Sequence, residues 1–187
     1  MAIRSMCRSL QAFAGFALAM AVLLTFARAQ APTPGAATGS ATGTVVDVKM
    51  HDASGRNKDH LSSANVPGTN HGRVACAWAV NHVATDGLGH EVGGGLSTAQ
   101  MAEALAGGRG RLVPVDKAPA GCVIISPTTG PVTGHVGILM DGTGPTRRIH
   151  SNSSRDALYM DNFTVQKWFE YFQDKKHLPV LVYELNK

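Results

Sequence analysis

Gly72-Arg73-Val74-Ala75-Cys76-Ala77-Trp78-Ala79-Val80-Asn81-His82-Val83 decides the reading of this chain. It is a loop that turns into a helix with a cysteine in its first turn. Cys76, Ala79, Val80 and Val83 recur at i, i+3, i+4 and i+7, so they share one apolar face. A thiol at a helix start meets unpaired backbone N–H groups and the positive end of the helix dipole, and both favour thiolate. Such a thiol needs a base. His135 opens the apolar run His135-Val136-Gly137-Ile138-Leu139-Met140, which reads as a strand. Ile149-His150-Ser151-Asn152 reads as the next strand and offers a polar residue to orient the base. The strand period of two puts His150 and Asn152 on one face, and either could hold the His135 ring. Asn152 is preferred.

The chain divides around this core. Arg4 and Arg8 precede an apolar run from Leu10 to Phe26, and Ala27-Arg28-Ala29 is a small-x-small cleavage site. Residues 1–29 therefore read as a secretory signal peptide, with a secreted or periplasmic product and no stable membrane anchor after cleavage. Residues 30–43 read as a flexible linker rich in Ala, Pro, Thr and Gly. Residues 44–187 are read as one domain. Of 17 Lys+Arg, Arg4, Arg8 and Arg28 leave with the signal, so 14 face 13 Asp+Glu and the mature charge is about +1. That balance argues against nucleic-acid binding, and Arg147-Arg148 and Lys175-Lys176 read as solvated surface.

Thr44 to Met50 reads as a short strand and His51 to Gly72 as a long loop leading to the cysteine. The cysteine helix is expected over 74–85. Gly93-Gly94-Gly95 permits a tight path but lacks the Lys-Ser/Thr of a phosphate loop. Ser97-Thr98-Ala99-Gln100 reads as a capping box, with Met101 and Leu105 pointing inward. Strands are expected over 122–126, 135–140, 147–152 and 179–185. Thr164 caps a last helix on which Phe163 and Trp168 staple, its aromatics packing on the sheet. Helices first and strands after give α+β with an antiparallel sheet. His51, His60, His71, His82 and His90 form no ligand pair, so neither metal nor cofactor is expected. Cys76 and Cys122 could instead form a disulfide.

Cys76-Ala77-Trp78-Ala79-Val80-Asn81, Gly121-Cys122-Val123-Ile124-Ile125, Gly134-His135-Val136-Gly137-Ile138 and Ser151-Asn152-Ser153-Ser154 together resemble the NlpC-type and CHAP-type papain-like cell-wall cysteine peptidases. The resemblance covers residues 70–185. It implies a papain-like fold, with N-terminal helices carrying the cysteine packed on a sheet carrying the histidine. It also implies a monomer that hydrolyses amide bonds of peptidoglycan, with Cys76 as nucleophile, His135 as base and Asn152 or His150 as third member. The chain has Ala75-Cys76-Ala77-Trp78 where NlpC-type members have Asp-Cys-Ser-Gly, and no tyrosine precedes Cys76 where they carry one, His71 or Asn70 being the residues offered for its place. His71, Trp78 and Gly134 are the expected substrate contacts, since Gly134 and Gly137 leave the strand bare beside His135. The rival readings are a non-catalytic binding module on the same scaffold and a transpeptidase.

Overall fold

A computed structural model describes residues 43–187. The expected signal peptide and all but the last residue of the expected linker lie outside the described residues. The domain is α+β: α1 (Val45–Asn57), α2 (Cys76–Leu88), α3 (Thr98–Ala104), β1 (Gly110–Leu112), β2 (Val123–Ser126), β3 (His135–Leu139), β4 (Arg148–Ser153), β5 (Leu158–Thr164), α4 (Val165–Trp168) and β6 (Leu181–Leu185). Single π-helical stretches extend α3 over Leu105–Arg109 and α4 over Phe169–Lys175. The six strands form one sheet in the order β1-β6-β2-β3-β4-β5, every pair antiparallel.

The segment expected as a strand at Thr44 to Met50 is helical, and the loop expected from His51 is helical up to Asn57. Three valines within four residues favour a strand, but the N-terminus carries a stronger local signal. Thr44 accepts from the Asp47 N–H, and the Asp47 carboxylate accepts from the Thr44 N–H at 2.7 Å, a reciprocal capping box. Val46, Met50 and Ala53, at helical spacing, are then buried, while Val45 and Val48 stay exposed. At Ser97 the expectation is half met: its side chain accepts from the Gln100 N–H, with no reciprocal bond. Met101 and Leu105 are fully buried as expected.

Two apolar layers flank the sheet. Cys76, Ala79, Val80 and Val83 of α2 pack with Met50 and Ala53 of α1 against Val123, Ile125, Val136 and Ile138. On the other face Trp168 and Phe172 pack against Cys122, Ile124, Leu139 and Ile149. The side chains of β2 and β3 thus alternate between two cores, and β3 is buried at every position. Arg147 is buried too, donating from Nε to the Met140 carbonyl and from Nη1 to the Ala118 carbonyl, both at 2.7 Å, so it ties loops together instead of facing solvent as expected.

One polar junction crosses the first core. Ser54 Oγ of α1 lies 3.0 Å from His150 Nδ1, 2.8 Å from Tyr159 Oη and 3.4 Å from Met140 Sδ. It joins α1 to β4, to β5 and to the residue that follows β3.

If α1 is helical, proline at the exposed Val48 should cost about 3 kcal/mol in urea unfolding, whereas Val48→Ala should be neutral or mildly stabilising. A strand there would reverse the second result, because alanine is a poorer strand residue than valine.

Candidate functional site

Cys76 is the first residue of α2. Ala75 at the cap offers no side-chain acceptor, so the first amides of the helix stay open. The sulfur meets the N–H groups of Cys76 and Ala77, and across the core the N–H of Val136. That last donor is free for a topological reason. Met140 N–H bonds to the Arg148 carbonyl, so alternation turns the N–H of Ile138 and Val136 toward β4 as well. The β3–β4 ladder has only the pairs Ile138↔His150 and Leu139↔Ile149. The Val136 N–H lies beyond it and reaches the sulfur instead.

The thiolate expected at this helix start is not the resting form. Three N–H contacts pull the thiol pKa down, but burial outweighs them and raises it to about 11. Cys122 is also a free thiol. It lies in the opposite core, three residues along β2 from the partner of Val136, roughly 10 Å at the usual strand rise. The two sulfurs are too far apart for a disulfide.

His135 opens β3 and pairs with Ser126. The preceding loop is closed by the Thr129↔Val132 bridge, and Gly134 N–H donates to Thr128 Oγ1 at 2.9 Å. The imidazole enters the second core, inside a cage of Phe163, Trp168 and Phe172, the last stacked at 5.7 Å and 11°. Burial in this cage, with a smaller contribution from the Lys176 charge, lowers its pKa to about 4. Nε2 lies 3.1 Å from Ser151 Oγ. Among the described residues Nδ1 has no hydrogen-bond partner. Among the described residues no buried side-chain nitrogen or oxygen lacks a partner, so Nδ1 is not sealed from solvent. No hydrogen bond joins the ring to the Cys76 sulfur. The sulfur's contact on β3 is the Val136 N–H, one residue along the strand from His135.

Neither expected third residue touches the ring; Ser151 does. The register explains the miss. Leu139 faces Ile149, so His135, Gly137 and Leu139 share a face with Ile149, Ser151 and Ser153, while His150 and Asn152 face α1 and α2. His150 is held by Ser54 and Tyr159, and burial lowers its pKa although Asp161 opposes this. Asn152 clamps the loop ahead of Cys76. Its Oδ1 accepts from Ser63 Oγ at 2.7 Å and its Nδ2 donates to the Gly72 carbonyl at 2.8 Å. Asn70, His71 and Gly72 all have left-handed backbones there, and a Cβ on Gly72 would stand 2.4 Å from Ala157 Cβ.

The expected substrate contacts separate. His71 is exposed on that loop. Trp78 is half-buried on α2, its ring 5.4 Å from His82. Gly134 and Gly137 have a packing reason to be glycine: a Cβ on Gly134 would lie 2.0 Å from the Ser126 carbonyl oxygen, and one on Gly137 2.7 Å from that of His150. Two cavities lie elsewhere, near Leu88, His90 and Asn186 at the far end of α2. Among the described residues no group of three acidic, His or Cys side chains could hold a metal ion, and no helix is long and apolar enough to cross a membrane. No family model matches this chain, and no curated protein matches it.

These shifts shape the pH dependence of stability. Between pH 6.5 and 4 the unfolded chain takes a proton at His135 that the folded chain refuses, so stability is lost as pH falls through that window, by about 3 kcal/mol at most from this group. Above pH 9 the unfolded Cys76 ionises before the folded one, so stability falls again toward pH 11. Urea midpoints across pH 4–10 should trace a dome, and His135→Gln should flatten its acid side. At pH 7 iodoacetamide should alkylate native Cys76 about a hundredfold more slowly than the urea-unfolded chain, the ratio of thiolate fractions. Equal rates would mean an exposed, ionised thiol.

Proposed function

We propose that this chain is a secreted cysteine hydrolase of papain-like fold that cleaves amide bonds in bacterial peptidoglycan. One observation carries the chemistry. The sulfur of a thiol at a helix start meets the N–H of Val136, and the residue before it on the strand carries an imidazole whose Nε2 lies 3.1 Å from Ser151 Oγ. The substrate class rests on the cell-wall peptidase resemblance of the sequence around Cys76, His135 and Asn152.

In this reading Cys76 attacks the scissile carbonyl carbon, and Nδ1 of His135 takes the thiol proton. For that step the ring must carry its own proton on Nε2, toward Ser151. The tetrahedral oxygen is received by the N–H of Cys76 or Val136, both already directed at the sulfur. Losing one such donor typically costs roughly 3–4 kcal/mol of barrier. His135 returns the proton to the leaving amine, and water cleaves the thioester. Because both groups rest neutral, the thiol is activated by general base during attack and not as a standing ion pair. The same burial supports the second reading, a binding module in which the pair is idle.

Purified peptidoglycan incubated with the chain, with product masses read out, separates the two. Hydrolysis should yield fragments heavier by one water, abolished by Cys76→Ala and lowered at least a hundredfold by His135→Ala. Ser151→Ala should change turnover far more than the Michaelis constant, while His150→Phe should leave both near their wild-type values. Unchanged peptidoglycan that still sediments with the protein would favour the binding module.

A further inference from the structure

Asn162 of β5 stands behind Ser151. Its Nδ2 lies 3.0 Å from Ser151 Oγ and 3.4 Å from the Asn152 backbone carbonyl. A carbonyl oxygen only accepts, so the group turned toward both is the amide NH2, and it donates to Ser151 Oγ. Ser151 is fully buried. Among the described residues its hydroxyl has two polar side-chain neighbours, Asn162 Nδ2 and His135 Nε2. The hydroxyl carries one proton, and an amide NH2 cannot accept it. His135 Nε2 is the acceptor that remains. A proton on Nε2 would instead leave the buried hydroxyl hydrogen facing two donors, at a cost of about 1–3 kcal/mol.

We infer that Asn162, acting through Ser151, holds the resting His135 ring as its Nδ1–H tautomer, so that the nitrogen the proposed reaction uses as base carries the proton and cannot accept one. The tautomer stands on hydrogen-bond geometry alone. Its meaning as an off state rests on the proposed reaction. Asn162 is a positioning residue: it touches neither the thiol nor the Nδ1 side of the ring. Turning the site on requires the Ser151 hydroxyl hydrogen to turn to another acceptor, so that Oγ presents its second lone pair to an Nε2–H.

The ring's surroundings agree. Lys176 of the last helical stretch is the charge felt by the imidazole. Its other neighbours are uncharged: Ser126 of β2, Ser151 of β4, Phe163 of β5, and Trp168 and Phe172 beyond it. No carboxylate among these groups favours a second proton.

Two-bond proton–nitrogen NMR of the 15N-labelled imidazole decides the matter without an activity assay. The wild-type chain at pH 7 should show a protonated-type shift at Nδ1 and a bare-type shift at Nε2 for His135. Asn162→Asp replaces the donor by an acceptor for the Ser151 hydroxyl, and Ser151→Ala removes the hydroxyl. Both should move the proton to Nε2. In Asn162→Asp the His135 pKa should also rise by about one unit or more. A wild-type ring protonated at Nε2 would overturn the inference even if neither variant folded. Folded Asn162→Asp that keeps the Nδ1 proton would remove Asn162 from its cause. If peptidoglycan is not cleaved by any form while the tautomers behave as expected, the enzyme reading fails and the tautomer assignment stands.

Discussion

Strand β3 is buried on both faces, and its period of two decides what each neighbour can reach. Val136 and Ile138 close the core under α1 and α2, while His135, Gly137 and Leu139 close the one under α4. A nucleophile on α2 therefore cannot meet the imidazole across a face. It meets the edge of the strand, where the ladder to β4 has ended and a backbone N–H is unclaimed. The early end of that ladder matters as much to the site as either side chain.

Electrostatics follow from the same burial. Three backbone amides stabilise a thiolate at Cys76, yet desolvation of the sulfur exceeds their sum. On the histidine side the aromatic cage removes water from three directions and offers no anion in return. The result is a thiol and an imidazole that both rest neutral at pH 7.

Much of this could be read from the sequence. The i, i+3, i+4, i+7 face beginning at Cys76, the apolar runs of β2, β3 and β6, and the Thr164 cap are local patterns that tertiary context did not overturn. Three features were not legible. Helix α1 looked like a strand because valine propensity is visible residue by residue, whereas the Thr44–Asp47 cap outweighs it only once both bonds are counted. Edge strands β1 and β5 carry weak alternation, and β5 contains Asp161 and Asn162 within it. The residue that bonds the His135 ring, Ser151, was missed by one position. Parity put His150 and Asn152 together, but which parity faces His135 depends on a register set by the turn after Met140, and no local pattern encodes it.

The Ser54 junction has a consequence for how the domain holds together. A single hydroxyl satisfies a ring nitrogen of His150 and the phenol of Tyr159 while touching the sulfur of Met140, so β4, β5 and the residue that follows β3 share one anchor on a helix that precedes the site in the chain. Pulling α1 away would not simply expose apolar surface. It would leave two buried polar groups without partners at once, each costing about 1–3 kcal/mol, so loss of α1 should be all-or-none rather than gradual fraying. The helix most distant from the chemistry in appearance is thus a fastener for the strands that carry it, and partial opening of the sheet near β4 has to begin elsewhere.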